Sequence, residues 1–142
     1  MKDMTQAEIR EFLLTGTRTG KLATVKENGR PHVVPIWFLL DGDDLVFNTW
    51  HLSVKAKNIA RNGRVAISVD NQNPPYDFIM IEGEATLSDD PIAVKKWATA
   101  IGGRYMGADQ AEAFGERNSV IGELLVRVKI EKIIAQKDLA AW

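Results

Sequence analysis

The sequence predicts a mainly β protein, a small antiparallel barrel of six strands with helices at its periphery. Period-two apolar patterning recurs in short segments along the chain. Tight-turn signals separate several of them, notably Asn28-Gly29 and Asp41-Gly42. A single short helix interrupts the run of early strands, which leaves antiparallel meander connections rather than βαβ crossovers.

The elements follow in order. Thr5 to Leu14 reads as a helix: Thr5 is a candidate N-cap, Glu8 holds the capping-box position, and Ile9, Phe12 and Leu13 form one apolar face. Gly16 is its stop signal. Gly20 to Lys26 is the first strand and Pro31 to Leu40 the second, with Val33, Pro35, Trp37 and Leu39 expected on one face. Leu45 to Thr49 is the third strand. Ser53 to Arg61 suits a short amphipathic helix with Ser53 as N-cap and Asn62-Gly63 as its end. Val65 to Val69, almost continuously apolar, is the fourth strand, and Phe78 to Leu87, strictly alternating, the fifth. Asp89 or Asp90 then caps a helix with Pro91 in its first turn, and Gly102-Gly103 is expected to interrupt it. A further helix spans Asp109 to Glu116, and Glu123 to Ala135 is the sixth strand. No repeat, linker or low-complexity segment divides the chain, so residues 1–142 are read as one domain.

Composition narrows the function. A formal net charge of −1 argues against general nucleic-acid binding. No apolar run is long enough for a membrane span, and Met1 to Arg10 is charged rather than signal-like. A cytoplasmic protein is the resulting expectation. With no cysteine there is no disulfide, thiol nucleophile or cysteine-ligated metal. His32 and His51 lack the spacing of a metal pair. Phosphate-loop, nucleophile-elbow and dinucleotide-binding motifs are absent. Glu82 and Glu84 share a strand face and read as solvated.

Two segments carry chemistry. In Asn48 to Asn58 a strand ends and a helix begins with Ser53, Lys55 and Lys57 in its opening turns. Helix N-termini favour anions, so lysines there oppose the helix dipole unless they serve an anionic ligand. Thr49 and Ser53 could donate to a phosphate that Lys55 and Lys57 neutralise. The plain alternative is a solvated basic face whose lysine stems cover apolar surface. In Gly29 to Phe38, Pro35 cannot donate to a ladder, so its strand is an edge or irregular, and Trp37 offers an apolar wall to a flat heterocycle. Core packing with Pro35 at a bulge is the alternative.

Three blocks, in order and spacing, resemble the pyridoxamine 5′-phosphate oxidase-like superfamily: Leu22-Ala23-Thr24-Val25 with Asn28-Gly29-Arg30-Pro31 and Val34 to Phe38; Lys55 to Val65; and Glu82-Gly83-Glu84-Ala85. Arg104-Tyr105-Met106-Gly107 and Glu123 to Val128 are similar to its deazaflavin-dependent branch. The resemblance covers nearly the whole chain. It implies an FMN-binding split β-barrel fold and a homodimer with two cofactors at the subunit interface. It maps the cofactor phosphate onto Lys55, Lys57 and Asn58, further polar contacts onto Asn48, Thr49 and Trp50, and the tricyclic ring onto Val34, Pro35, Ile36 and Trp37. The Arg/His-rich C-terminal block of the vitamin B6 oxidases has no counterpart here, so that reaction is not expected.

The resulting expectation is a reductase that uses coenzyme F420, an 8-hydroxy-5-deazaflavin, to transfer hydride to a conjugated small molecule. FMN in the same site, or a non-catalytic flavin carrier, is the alternative. No catalytic acid or base is assigned. Lys21, Arg30, Lys55, Lys57, Arg61 and Arg64 form a candidate basic track for the glutamyl tail of F420, or an ordinary solvated surface.

Overall fold

The computed structural model describes residues 2–141; Met1 and Trp142, the two ends of the expected 1–142 domain, lie outside the described residues. Eight strands form one antiparallel sheet. They are β1 (Lys2–Asp3), β2 (Gly20–Val25), β3 (Pro31–Ile36), β4 (Leu39–Asp41), β5 (Asp44–Trp50), β6 (Arg64–Asp70), β7 (Phe78–Ser88) and β8 (Glu123–Lys137). Four α-helices accompany them: α1 (Gln6–Leu14), α2 (Val54–Arg61), α3 (Pro91–Met106) and α4 (Ala111–Arg117), the last preceded by a 3-10 turn at Ala108–Gln110. None is long and apolar enough to cross a membrane.

Local chemistry sets the helix starts. Thr5 and Glu8 form a reciprocal capping box on α1, and the Ser53 side chain accepts from Ala56 N–H to begin α2. Asp90 caps α3 ahead of Pro91. The Asn28-Gly29 turn joins β2 to β3, with Asn28 Oδ1 accepting from Arg30 N–H at 3.1 Å.

The sheet order is β3-β2-β6-β7-β8-β5-β4, with β1 added beside β8. The main core lies on one face. Phe12 and Leu13 of α1 and Ile59 of α2 pack there against Leu22, Ile36, Phe47, Ile67, Ile81 and Val126. Helix α3 covers a different region, where Val94 meets Val46 and Leu125, with Trp97 alongside.

The expected six-stranded split β-barrel is corrected on two counts. Among the described residues there are eight strands, and the sheet is open: β3 and β4 end its order and no ladder joins them. The expected single strand from Pro31 to Leu40 breaks at Trp37-Phe38. The reason is that Phe38 spends its peptide groups on α3 rather than on a strand. Its N–H donates to Tyr105 Oη at 3.1 Å, and its carbonyl accepts from Arg104 Nη1 at 2.7 Å. The same guanidinium donates to Leu13 O at 2.7 Å and Gly16 O at 3.0 Å, and Tyr105 Oη donates to Arg18 O at 2.8 Å.

The faces of β3 follow from its pairing with β2. Cross-strand partners share a face, and Val34 stands opposite fully buried Leu22. Ile36 and Phe38 therefore point to the core, whereas Val33 is 61% exposed. Pro31 and Pro35 sit on this outermost strand, where a missing N–H costs no ladder bond.

Nor do the glycines interrupt α3, which runs unbroken through Gly102-Gly103. Their use is close approach. A Cβ on Gly102 would stand 2.5 Å from Phe114 Cβ, and one on Gly115 would overlap the Thr99 side chain, so these two glycines let α4 lie directly on α3.

Arg104 thus closes three chain segments with one planar donor group. Replacing it with Met should cost roughly 2–3 kcal/mol, the scale of hydrogen bonds from a charged group. The expected result is a lower urea midpoint with an unchanged slope. An unchanged midpoint would show the three carbonyls to be satisfied by water.

Candidate functional site

One cavity of about 250 Å³ gathers residues from four parts of the chain: Pro35, Ile36 and Trp37 from the β3 end, Asn48 from β5, Lys55 from α2, Ala98 and Ile101 from α3, and Asn118 just after α4. Five of the ten sequence-predicted site residues meet there: Pro35, Ile36, Trp37, Asn48 and Lys55.

Trp37 is held from behind. Its ring stacks on Tyr105 at 5.1 Å between centroids with 3° between planes, and Phe114 tilts against it at 5.9 Å. Because Tyr105 is itself anchored through its hydroxyl, the indole is fixed as a wall. Burial raises the Tyr105 pKa, opposed by the Phe38 backbone bond and the Arg104 charge.

Among the described residues Lys55 is the only cation lining the cavity. Among the described residues no carboxylate lies within 4.0 Å of its ammonium. Burial lowers its pKa, partly offset by the Glu123 carboxylate. Glu123 is the reciprocal case: burial raises its pKa, and Lys55 and His51 draw it back. The register that pairs Trp50 with Glu123 brings β8 to this end of β5, and His51 N–H donates to Gly122 O at 2.8 Å.

Asn48 adds an acceptor. Its Nδ2 donates to Val94 O at 3.2 Å, which orients the amide, while its Oδ1 is buried and has no partner among the described residues. A buried acceptor left unpaired costs about 1–3 kcal/mol, so the position favours a ligand N–H or O–H.

The remaining predicted residues lie elsewhere. Val34 is half-buried opposite Leu22 in β3. Thr49 is buried and its hydroxyl bonds that of Ser53 at 2.9 Å, so the pair organises the start of α2. Asn58 is 3% exposed; it donates to Thr24 Oγ1 at 2.9 Å and accepts from Arg61 at 3.1 Å, tying α2 to β2. Lys57 is exposed on α2. Of the candidate basic track, Lys21 pairs with Asp70 at 3.2 Å and Arg61 donates to Val25 O, whereas Arg30, Lys57 and Arg64 are exposed.

Sequence reasoning missed Ala98, Ile101 and Asn118 as lining residues. Their signals were ordinary: two small or aliphatic positions on an amphipathic helix, and one asparagine beyond a short helix. Glu123 opens the expected sixth strand and the block that resembles the deazaflavin-dependent branch, but sequence reasoning assigns its side chain no role at the site.

The unpaired, half-buried Lys55 has a measurable cost in the ligand-free protein. Its folded pKa lies below 10.5, so between that lowered value and 10.5 the unfolded chain holds more protons, and this group's contribution to stability rises with pH. Lys55→Met should therefore raise the urea midpoint of the ligand-free protein near neutral pH and flatten stability across that alkaline window. A midpoint lowered by the substitution would mean that the ammonium is stabilising as it stands.

Comparison with known proteins places the chain. Its structure is similar to the conserved hypothetical protein Rv2991 of Mycobacterium tuberculosis, with a TM-score of 0.85 at 24% identity over 98% of this chain and 89% of that one. It is similar to an F420 reductase, with a TM-score of 0.69 at 28% identity over 87% of this chain and 94% of that one. The heme storage protein HutZ of Vibrio cholerae shares the fold, with a TM-score of 0.72 at 19% identity, covering 92% and 94% respectively. No curated protein matches the chain. The family model described as pyridoxamine 5′-phosphate oxidase matches residues 5–137, and the chain belongs to that family.

Proposed function

We propose that this protein is an oxidoreductase that holds coenzyme F420 in the Lys55 cavity and reduces a conjugated small molecule. The observation that carries the reading is the half-buried Lys55, without an ion-pair partner, in a cavity walled by the fixed Trp37 ring. A desolvated ammonium of this kind suits a phosphate, and a fixed indole beside a proline suits a flat heterocycle. Similarity to an F420 reductase at 28% identity supports the deazaflavin over FMN. The exposed Arg30, Lys57 and Arg64 are available to an anionic tail.

The residues present fit the group. Lys55 would hold its phosphate, Asn48 Oδ1 would accept from a hydroxyl of its polyol arm, and Pro35 to Trp37 would flank its ring. When bound, the coenzyme supplies two-electron redox chemistry. The chain's own residues orient and exclude. Trp37 and Ile101 keep one side of the cavity apolar, the Tyr105 stack prevents the indole from turning away, and Lys55 fixes the charged end. Positioning of this kind lowers a barrier without a protein acid or base. FMN in the same place, or a carrier that holds a flavin without turnover, remains the alternative.

A cavity of about 250 Å³ is smaller than the roughly 300–1,000 Å³ of a typical ligand pocket, which supports a half-site completed by a second copy. The strand register builds a suitable surface beside it. Val33, Ala23 and Ala66 line up across β3, β2 and β6 and meet Glu82 and Lys132 on β7 and β8. The neighbouring row runs from Pro35, which also lines the cavity, through Lys21 and Ser68 to Met80 and Ile134. We therefore propose an isologous homodimer docked through this face. Light scattering at micromolar concentration should give twice the mass of one chain; a monomer alone would remove the dimer from the reading.

For the cofactor, paired titrations at low and high salt are expected to show F420 binding more tightly than FMN, with the advantage shrinking as salt rises, because tail contacts to exposed cations are screened. Lys55→Met should weaken both by roughly 1.5–3 kcal/mol. FMN binding more tightly at both salts would move the assignment to the flavin, and no effect of the substitution would displace the phosphate from Lys55.

A further inference from the structure

We propose that Asn118 is a specificity-determining residue that hydrogen-bonds the carbonyl oxygen of a neutral, conjugated ketone or quinone acceptor; this rests on the redox reading of the cavity above. The placement of Asn118 is built rather than incidental. Gly102 and Gly115 allow α4 to lie directly on α3, and Phe114 of α4 packs against Trp37. Asn118 closes that helix, its N–H donating to Phe114 O at 3.0 Å. The result is an amide delivered to the α3–α4 side of the cavity by a rigid helix pair.

The side chain has no other task. It is half-buried, lines the cavity, and makes no hydrogen bond among the described residues. Around it the α3 side is apolar, with Ala98 and Ile101 as neighbours in the lining, while the cation Lys55 belongs to α2. The chain continues beyond Asn118 through Val120 and Ile121, 53% and 100% exposed, and then approaches Trp50 and His51 at Gly122. A neutral amide beside the apolar α3 residues, in a lining shared with Asn48 and Lys55, favours a molecule that is apolar at this end and carries a hydrogen-bonding oxygen there. It disfavours a charged one, which would lose hydration without a counter-ion on that side.

The same bond serves the reaction. When bound, the reduced coenzyme would supply a hydride, and the acceptor's π electrons would shift towards its carbonyl oxygen as that hydride adds. The Asn118 side-chain amide would donate to the growing negative charge there. With a proton from solvent, a conjugated ketone would leave as the saturated ketone and a quinone as the hydroquinone.

The test is a binding comparison that needs no turnover. Menadione and 2-methylnaphthalene have nearly the same shape and differ in the carbonyl oxygens. Each is titrated by calorimetry into the protein with and without oxidised F420, for the wild type and for Asn118→Leu. The wild type should prefer menadione by about fivefold to tenfold, the size of one net hydrogen bond. Asn118→Leu should bring the two within about twofold, with and without oxidised F420. If Asn118→Leu fails to fold, Asn118→Ala carries the same comparison. Equal affinities in the wild type, or a preference that survives the substitution, would overturn the proposal. A preserved menadione preference in a protein that binds no F420 would instead overturn the coenzyme reading and leave the carbonyl contact standing.

Discussion

The guanidinium of Arg104 and the phenol beside it hold the molecule's least regular region together. Leu13, Gly16 and Arg18 lie in one stretch and Phe38 in another, and each has a peptide group that no strand or helix ladder satisfies. Main-chain groups in such a place need partners. A single planar donor reaches three carbonyls, and the neighbouring hydroxyl both accepts from Phe38 and donates to Arg18. The arrangement depends on α3 ending where it does, since Arg104 and Tyr105 occupy its last turn. It also explains why the sheet stays open at the β3–β4 junction, where backbone groups that a closing ladder could use are committed to a helix.

From this tie the cavity follows. Phe38 is pinned, so Trp37 is carried to a fixed position, and Tyr105 supplies the surface on which it stacks. Across the cavity, α2 begins where the Thr49–Ser53 hydroxyl pair allows, and that start sets where Lys55 emerges. The cavity is therefore rigid on its aromatic side and electrostatically incomplete on the other. Incompleteness of this kind is a common property of binding sites, in which stability is given up for affinity.

Much of the local structure was legible in the sequence because it depends on neighbours only. Thr5 with Glu8, Ser53 before α2, Asp90 with Pro91 and the Asn28-Gly29 turn each act within four residues. The sheet order was not legible, since β2 pairs with β6 across the intervening strands and no local signal encodes that. The break at Trp37-Phe38 was hidden for the same reason, because its partners lie 66 and 67 residues away. The gathering of Pro35, Ile36, Trp37, Asn48 and Lys55 around one cavity was legible as a neighbourhood, through proline and tryptophan on one strand and lysine at a helix start. Thr49, Ser53 and Asn58 make bonds that fasten α2, which sequence alone does not foresee, because polar side chains near a helix N-terminus look alike whether they meet a ligand or fasten the helix. Asn118 carried no signal, as its position depends on two glycines that allow a later helix to approach an earlier one.

The prolines of the outermost strand have a consequence for the behaviour of many copies together. On the open side of β3, Pro31 and Pro35 present carbonyls without matching N–H groups, next to an exposed valine. A new strand arriving there would find acceptors in excess and could not form a continuous ladder. The protein can thus leave that rim uncovered during synthesis without seeding fibrillar growth from it. Open-ended stacking of copies strand on strand is disfavoured there by the backbone itself, whatever the side chains around it.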